Sequence, residues 1–251
     1  METVFEMNDK KKIDAPIFSI IIPAYNAEKF ISTAVRSVQR QAIEEWELII
    51  VENGSIDNTT AVCEKLLTDK RIILIHSEKG VSAARNAGIK ISRGIWLVFL
   101  DADDQLTEDA LQKYLEIDDQ YAPDMIVGEY EKKKVKYTCE KHLYYDYTLR
   151  DFLLFSLQNP TQKCNTKAVA FRNRLVQQNR VMFDEQIKYA EDSVFFLEVL
   201  KKSKKVVNVC YPVYRVIYYS QSADRSGKRR LATEYLPAIN RVGALLDLSV
   251  P

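Results

Sequence analysis

Three carboxylates crowd one short turn of this chain, in the run Asp101-Ala102-Asp103-Asp104. They follow directly on the apolar run Ile95-Trp96-Leu97-Val98-Phe99-Leu100. Neighbouring negative charges repel and raise one another's pKa unless something positive lies among them. A divalent cation is the simplest compensation, and hard oxygen ligands suit Mg²⁺ or Mn²⁺. In open α/β sheets, ligands bind outside the carboxyl ends of the strands. A metal at this turn, holding a phosphate, is therefore the chemistry to test.

The same turn admits plainer readings, a helix cap or a solvated acidic loop. Thr107, with Glu108 and Asp109 behind it, is expected to cap the following helix, which leaves the carboxylates unneeded for that task. An EF-hand fails because Leu106 stands where glycine is required and a strand precedes the run. A phosphatase of the haloacid dehalogenase type also uses D-x-D after a strand. There the motif closes the first strand and continues with Thr or Val, whereas here it closes the fourth and continues with Asp104.

Other strand and helix ends carry polar groups. Pro23-Ala24-Tyr25-Asn26 closes the first strand and can lay Tyr25 or its backbone against a base. Glu52-Asn53-Gly54-Ser55, with Asp57 beyond, closes the second and offers a carboxylate or amide to a base or ribose. Taken singly, each is equally a turn with a helix cap. Small residues dominate the 80–88 segment, which permits close packing. Arg85 is the exception, a permanent cation near a helix start that suits a diphosphate. Glu191-Asp192 opens a further helix, where the macrodipole favours acidic residues anyway and would keep Asp192 ionised, as a general base must be.

The elements that must position these groups alternate regularly through the first half. Strands are expected at 18–22, 47–51, 71–75, 95–100 and 124–127. Between them fall helices: one capped by Asn26 with an apolar face of Phe30, Ile31, Ala34, Val35 and Val38, one capped by Asp57, one from Ser82, and one from Thr107 toward Asp118. That alternation argues for a doubly wound, mainly parallel α/β sheet with helices on both faces. The second half is less regular. It offers exposed strand or loop around Lys132-Lys133-Lys134 and 137–147, short helix at 149–157, helix at 191–202, and strands near 206–209 and 213–219.

At 251 residues the chain can bury a large core, and no repeat or low-complexity linker divides it. A loose arm at 1–16, one domain at 17–225 and a helical tail at 226–251 are expected, the domain comprising a nucleotide-binding half (17–128) and an acceptor half (129–225). With 36 Lys and Arg against 35 Asp and Glu, nothing in the charge argues for nucleic acid. Neither a bilayer-spanning run nor a signal-peptide core is visible, so a cytoplasmic location is expected. The four cysteines lie far apart without a C-x-x-C pair, which fits reduced thiols better than zinc or disulfides. Only two histidines are present, which leaves carboxylates to carry the chemistry.

Taken together and in this order, the five segments resemble the family 2 glycosyltransferases of the GT-A fold, over roughly residues 17–220. The resemblance implies a nucleotide-diphospho-sugar donor, a divalent metal (Mn²⁺ or Mg²⁺) and transfer with inversion at the anomeric carbon. By position it assigns Asp101, Ala102 and Asp103 to the ribose and the metal-bound diphosphate, with Asp103 and Asp104 as the metal ligands. Asp192 matches the catalytic base and Arg85 a residue near the diphosphate. Pro23, Ala24, Tyr25, Glu52 and Asn53 match the base-binding edge. Many members carry Asp at the position of Asn53, which accepts the uracil N3–H. An amide still accepts through its oxygen, so a UDP-sugar remains the expected donor and a saccharide or lipid-linked saccharide the expected acceptor, in cell-surface polysaccharide synthesis. A sugar nucleotidyltransferase is the competing enzyme, but Pro23-Ala24-Tyr25-Asn26 lacks the glycine-rich loop such enzymes carry after the first strand. A non-catalytic sugar-nucleotide-binding module would be expected to lack Glu191-Asp192. In the tail, Lys228-Arg229-Arg230 precedes apolar residues at helical spacing, which suits a packing helix broken at Pro237 or a peripheral membrane contact.

Overall fold

Along the first strand, side chains alternate between the two faces of one sheet: Phe18, Ile20 and Ile22 enter one apolar cluster and Ile21 the other. The period of two follows from the pleat, and burial on both faces explains the near-continuous apolar run, interrupted only by buried Ser19. The computed structural model describes residues 16–131, 143–145, 165–217 and 232–246. The expected arm apart from its last residue, the lysine run 132–134, most of 137–147, the helix at 149–157 and the basic cluster 228–230 lie outside those residues. So do Cys139, Cys164 and His142.

The chain order is β1 (Phe18–Ala24), α1 (Ile31–Gln39), β2 (Trp46–Glu52), α2 (Thr59–Leu66), β3 (Ile72–His76), α3 (Val81–Ile91) and β4 (Trp96–Phe99). There follow β5 (Gln105–Leu106), α4 (Ala110–Tyr121), β6 (Met125–Tyr130), β7 (Leu143–Tyr145), β8 (Val169–Arg172), α5 (Asn173–Gln178), α6 (Glu191–Lys202) and β9 (Val206–Arg215). A 3₁₀ turn (Ala232–Tyr235) leads into α7 (Leu236–Leu245). One sheet runs β3-β2-β1-β4-β8-β6-β9-β5, with β7 also on β9. α1, α2 and α4 cover one face, through residues such as Val35, Cys63 and Tyr114. α3, α5 and α6 cover the other, through Ala84, Val176 and Phe195.

The doubly wound α/β architecture is as expected, and its parallel part spans β3, β2, β1 and β4. Beyond β4 the pattern changes, because β8 joins antiparallel to both β4 and β6. β5, β8 and α5 have no counterpart in the sequence reading, each being six residues or fewer. The two strands expected near 206–209 and 213–219 are one strand, β9. Pro212, which lies between the two expected strands, sits where the β6–β9 register shifts, and a bulge is where a sheet tolerates proline.

Two expected caps and one expected helix break are corrected. Asn26 lies in the left-handed region (φ 49) and its Oδ1 accepts from Ile56 N–H, so α1 begins later, at Ile31. Thr107 donates its hydroxyl to the Pro212 carbonyl (2.7 Å), and Asp109 holds the cap position of α4. Pro237 does not break the tail helix but lies in its first turn, where its missing N–H is harmless. Asp57 does accept from the Thr59 N–H at the start of α2 (3.0 Å). The tail helix packs Val242 and Leu245 against the α3–α6 face, and Lys201 Nζ donates to the Leu245 carbonyl (2.7 Å). No described helix is long and apolar enough to cross a membrane.

At Gly94 the turn into β4 passes hard against β1. A Cβ there would lie 2.5 Å from Ser19 N and 2.7 Å from the Phe18 carbonyl carbon, atoms of backbone that cannot rotate away. Gly94→Ala is therefore expected to destabilise the protein by about 1–3 kcal/mol, the usual range for overpacking, read as a lowered midpoint in urea denaturation.

Candidate active site

β4 ends at Phe99, and Leu100 N–H still donates to the Ile21 carbonyl of β1 (3.0 Å). The chain then crosses the top of the sheet through 101–104 and rejoins it as β5 on the far side of β9. Asp104 N–H closes the turn onto the Asp101 carbonyl (3.0 Å). One oxygen from each of Asp101, Asp103 and Asp104 falls within 4.8 Å of the others. The crowding expected from the sequence is real.

Part of its relief comes from the chain itself. Lys167 places its ammonium 2.7 Å from Asp101 Oδ2 and 2.7 Å from Asp104 Oδ2. Tyr214, from β9, donates its hydroxyl to Asp104 Oδ2 (2.9 Å) and accepts from Asp101 N–H (3.1 Å). Ile217 N–H donates to Asp104 Oδ1 (3.0 Å). Burial alone would raise Asp101, but the charges of Lys167 and Arg85 outweigh it and hold its pKa at about 2. Burial likewise opposes the charge on Lys167, and Asp101 with Asp104 overcomes it and drives that pKa up. Asp103 behaves differently. Burial raises its pKa, Asp104 and Asp101 raise it further, and no cation stands at ion-pair distance among the described residues.

Arg85 carries the ionic chain onward. α3 lies close on β1, and its Gly88 could not take a Cβ, which would fall 2.5 Å from an Ile21 methyl. That approach sinks the Arg85 side chain to 6% exposure. Its Nη2 lies 3.2 Å from Asp101 Oδ1 and its Nη1 3.0 Å from Glu191 Oε1. Below it, Phe183 stacks on Phe195 (4.1 Å) with Phe99 edge-on to both, and the guanidinium sits 5.2 Å over the Phe183 ring. Expected beside a diphosphate, Arg85 has both terminal nitrogens engaged by carboxylates.

Through Arg85 the start of α6 is drawn to the end of β4. Asp192 stands next to Glu191, with Oδ1 accepting from Ser193 N–H (2.8 Å). The helix start was expected to keep this carboxylate readily ionised. Burial instead raises its pKa, more than Arg85, Ser193 N–H and Lys167 lower it. Ala168, directly after Lys167, and Ala190, directly before Glu191, both hold positive φ (56 and 60). Left-handed backbone at a non-glycine residue costs about 1 kcal/mol and gathers at functional sites.

The ends of β1 and β2 form a second cluster beside this one. Pro23 and Ala24 are buried at the end of β1, and Tyr25 is 41% exposed with Lys79 Nζ 4.9 Å from its ring. Glu52 accepts from Ser55 N–H (2.5 Å) and lies 3.1 Å from His76 Nδ1. Asn53 donates its N–H to the Ala24 carbonyl (3.1 Å), while its buried Oδ1 has no hydrogen-bond partner among the described residues. A buried acceptor left bare is costly, and a donor from a ligand would satisfy it.

These features stand on the carboxyl ends of parallel strands, and the model of glycosyl transferase family 2 matches residues 19–179. The chain belongs to that family. Among its relatives, the uncharacterized glycosyltransferase EpsJ of Bacillus subtilis is 30% identical over 204 residues, 76% of this chain and 58% of that protein. The poly(ribitol-phosphate) beta-glucosyltransferase of Bacillus spizizenii is 27% identical over 240 residues, 92% of this chain and 36% of that one. The chain thus spans roughly half or less of the length of these relatives. Among solved structures, S. aureus TarS 1–349 with UDP-GlcNAc superposes with a TM-score of 0.77 at 20% identity, covering 93% of this chain and 68% of that one. The mannosyltransferase PcManGT of Pyrobaculum calidifontis, with GDP-Man and Mn²⁺, gives 0.63 at 15%, covering 92% and 70%. At such identities the likeness shows the GT-A fold.

In this member of the family, the residues that sequence reading missed are Lys167, Tyr214 and the pairing role of Glu191. Lys167 precedes a four-residue strand in an unpatterned stretch, and Tyr214 reads as an ordinary buried strand residue. Neither carries a local signal, because each matters only through what the fold sets opposite it.

Removing Arg85 would leave Glu191 without its cation and Asp101 with one of two. Arg85→Met is expected to lower stability by about 3–5 kcal/mol, as breaking a buried pair does, with Arg85→Lys recovering part. Guanidinium denaturation of both variants measures it.

Proposed function

We propose that this chain is an inverting glycosyltransferase that moves a sugar from a UDP-sugar to a hydroxyl of a saccharide or lipid-linked saccharide acceptor, in cell-surface polysaccharide synthesis. The observation that carries this reading is the Arg85 bridge from Asp101 to Glu191, with Asp192, next to Glu191, electrostatically coupled to Arg85 and Asp101. The acidic turn faces the leaving diphosphate and Asp192 the incoming hydroxyl. A relative named poly(ribitol-phosphate) beta-glucosyltransferase, another named minor teichoic acid biosynthesis protein GgaA, and a structural neighbour holding UDP-GlcNAc support the choice of substrates.

The base of the donor lies along Pro23, Ala24 and Tyr25, with Asn53 Oδ1 accepting the uracil N3–H and Glu52 bordering the ribose. Asp101 and Ala102 line the path to the diphosphate. Asp192 takes the proton from the acceptor hydroxyl as that oxygen forms its bond to the anomeric carbon. The bond from that carbon to the diphosphate oxygen breaks in the same step, and the nucleoside diphosphate leaves with the electron pair. Attack from the face opposite the leaving group inverts the configuration. The field of Arg85 and Lys167 favours the negative charge that develops on the diphosphate.

The carboxylates of the 101–104 turn fit a divalent metal, being hard oxygen donors of which Asp103 has no ion-pair partner among the described residues. Mg²⁺ or Mn²⁺ held by Asp103, with Asp104 beside it, would supply positive charge to the departing diphosphate. We assign the enzyme to the cytoplasm, with peripheral contact at the membrane where a lipid-linked acceptor would lie.

Asp192→Asn is expected to keep donor affinity and to lose about 10²–10⁴ in turnover, the usual contribution of a general base. Near-wild-type turnover in a UDP-sugar transfer assay would overturn the assignment. Because the base acts ionised, kcat/KM should fall as pH drops through the pKa of Asp192. Burial raises that pKa, so the acid limb should lie above the ordinary aspartate value of about 3.9. Asp103→Ala is expected to weaken Mn²⁺-dependent UDP binding, and unchanged affinity by titration calorimetry would count against the metal site.

A further inference from the structure

Lys167 is bound more tightly into the donor site than a cation that only lends its field to the diphosphate would need to be. Its ammonium lies at hydrogen-bond distance from Asp101 Oδ2 and Asp104 Oδ2. The other oxygen of each carboxylate is also taken, Asp101 Oδ1 by Arg85 and Asp104 Oδ1 by Ile217 N–H. Asp104 Oδ2 further accepts from Tyr214, and the residue is 2% exposed. Every oxygen of these two carboxylates therefore has a donor from the protein. Asp103 alone keeps oxygens without an ion-pair partner among the described residues.

From this we infer that Lys167 is a positioning residue which holds Asp101 and Asp104 out of the metal's coordination, so that a divalent ion is held by Asp103 and binds only together with a diphosphate. This rests on the donor-site reading above and adds to it an order of binding. One carboxylate and water make a weak site for Mg²⁺ or Mn²⁺, which ordinarily complete their shell with substrate phosphates. Three free carboxylates within 4.8 Å would make a far stronger one, able to trap metal without donor. The ammonium prevents that in two ways. It occupies an acceptor position on one oxygen of each of Asp101 and Asp104, and its charge repels a cation approaching the turn. It also keeps the turn folded when no metal is present.

The test is Mn²⁺ titration followed by the electron paramagnetic resonance signal of the free ion, for wild type and Lys167→Met, each with and without UDP. Wild type should bind Mn²⁺ far more tightly with UDP than without it. Lys167→Met should bind Mn²⁺ alone about tenfold or more tightly than wild type does, since a unit positive charge is removed from a partly buried site, and should depend less on UDP. A folded Lys167→Met, checked by circular dichroism, that binds Mn²⁺ alone no more tightly than wild type overturns the inference. Should that variant fail to fold, Asp104→Asn and Asp103→Asn decide. With UDP present, Asp104→Asn should keep Mn²⁺ affinity within about threefold and Asp103→Asn should lose it, as expected for one ligating carboxylate; the reverse order overturns the inference. Failure of wild type to bind UDP at all, with or without Mn²⁺, defeats the donor-site reading instead, and the metal-only arm of Lys167→Met still stands as a separate result.

Discussion

A line of alternating charge, Asp104 to Lys167 to Asp101 to Arg85 to Glu191, is the interaction on which the site depends. Its members come from the 101–104 turn, the turn before β8, α3 and the start of α6. Buried charges are tolerated only when paired and hydrogen-bonded, and a pair in poor geometry does not repay its desolvation. Each member here has a partner at or below 3.2 Å. The line therefore ties four segments, remote in sequence, to one small volume, and any shift of one would uncover charge on the next.

Two carboxylates stand beside this line without belonging to it. Asp103 and Asp192 both have pKa values raised by burial, and neither has a salt bridge among the described residues. Opposite fates for neighbouring carboxylates are what an acid–base site requires, because some must hold structure while others stay free to bind or take a proton. Asp101, held at about 2, belongs to the first kind. The separation is made by position alone, since all are aspartates or glutamates, drawn from the 101–104 turn and the start of α6.

The sheet explains how the two kinds come together. Its parallel half opens ligand-facing ends at β1, β2 and β4, the usual place for a nucleotide. The antiparallel joint at β8 then brings Lys167 back to the end of β4, and β9 brings Tyr214 to the same point. Resemblance to solved glycosyltransferases at 15–20% identity speaks to that frame. The chemistry is argued from the side chains, because one frame serves many reactions.

Much of this was legible in the residues alone. Apolar runs ended by Pro23, Glu52 and Asp101 marked the parallel strands, because a strand buried on both faces is nearly continuously apolar. The order of the acidic and polar motifs pointed to the family, and α6 begins and ends where its pattern says. Local chemistry misled at Asn26, Thr107 and Pro237, where a cap or break was expected and a contact distant in sequence claimed the side chain or the proline opened a helix instead. The opening problem of three crowded carboxylates was read correctly as a demand for positive charge. What supplies it could not be read, since Lys167 lies more than sixty residues from the turn and in no recognisable pattern. Sequence determined the strands, the motifs and the need for a cation, because those depend on neighbours along the chain. Tertiary structure decided which carboxylates are neutralised and which are left free, because that depends on which charges the fold brings within 3.2 Å of one another.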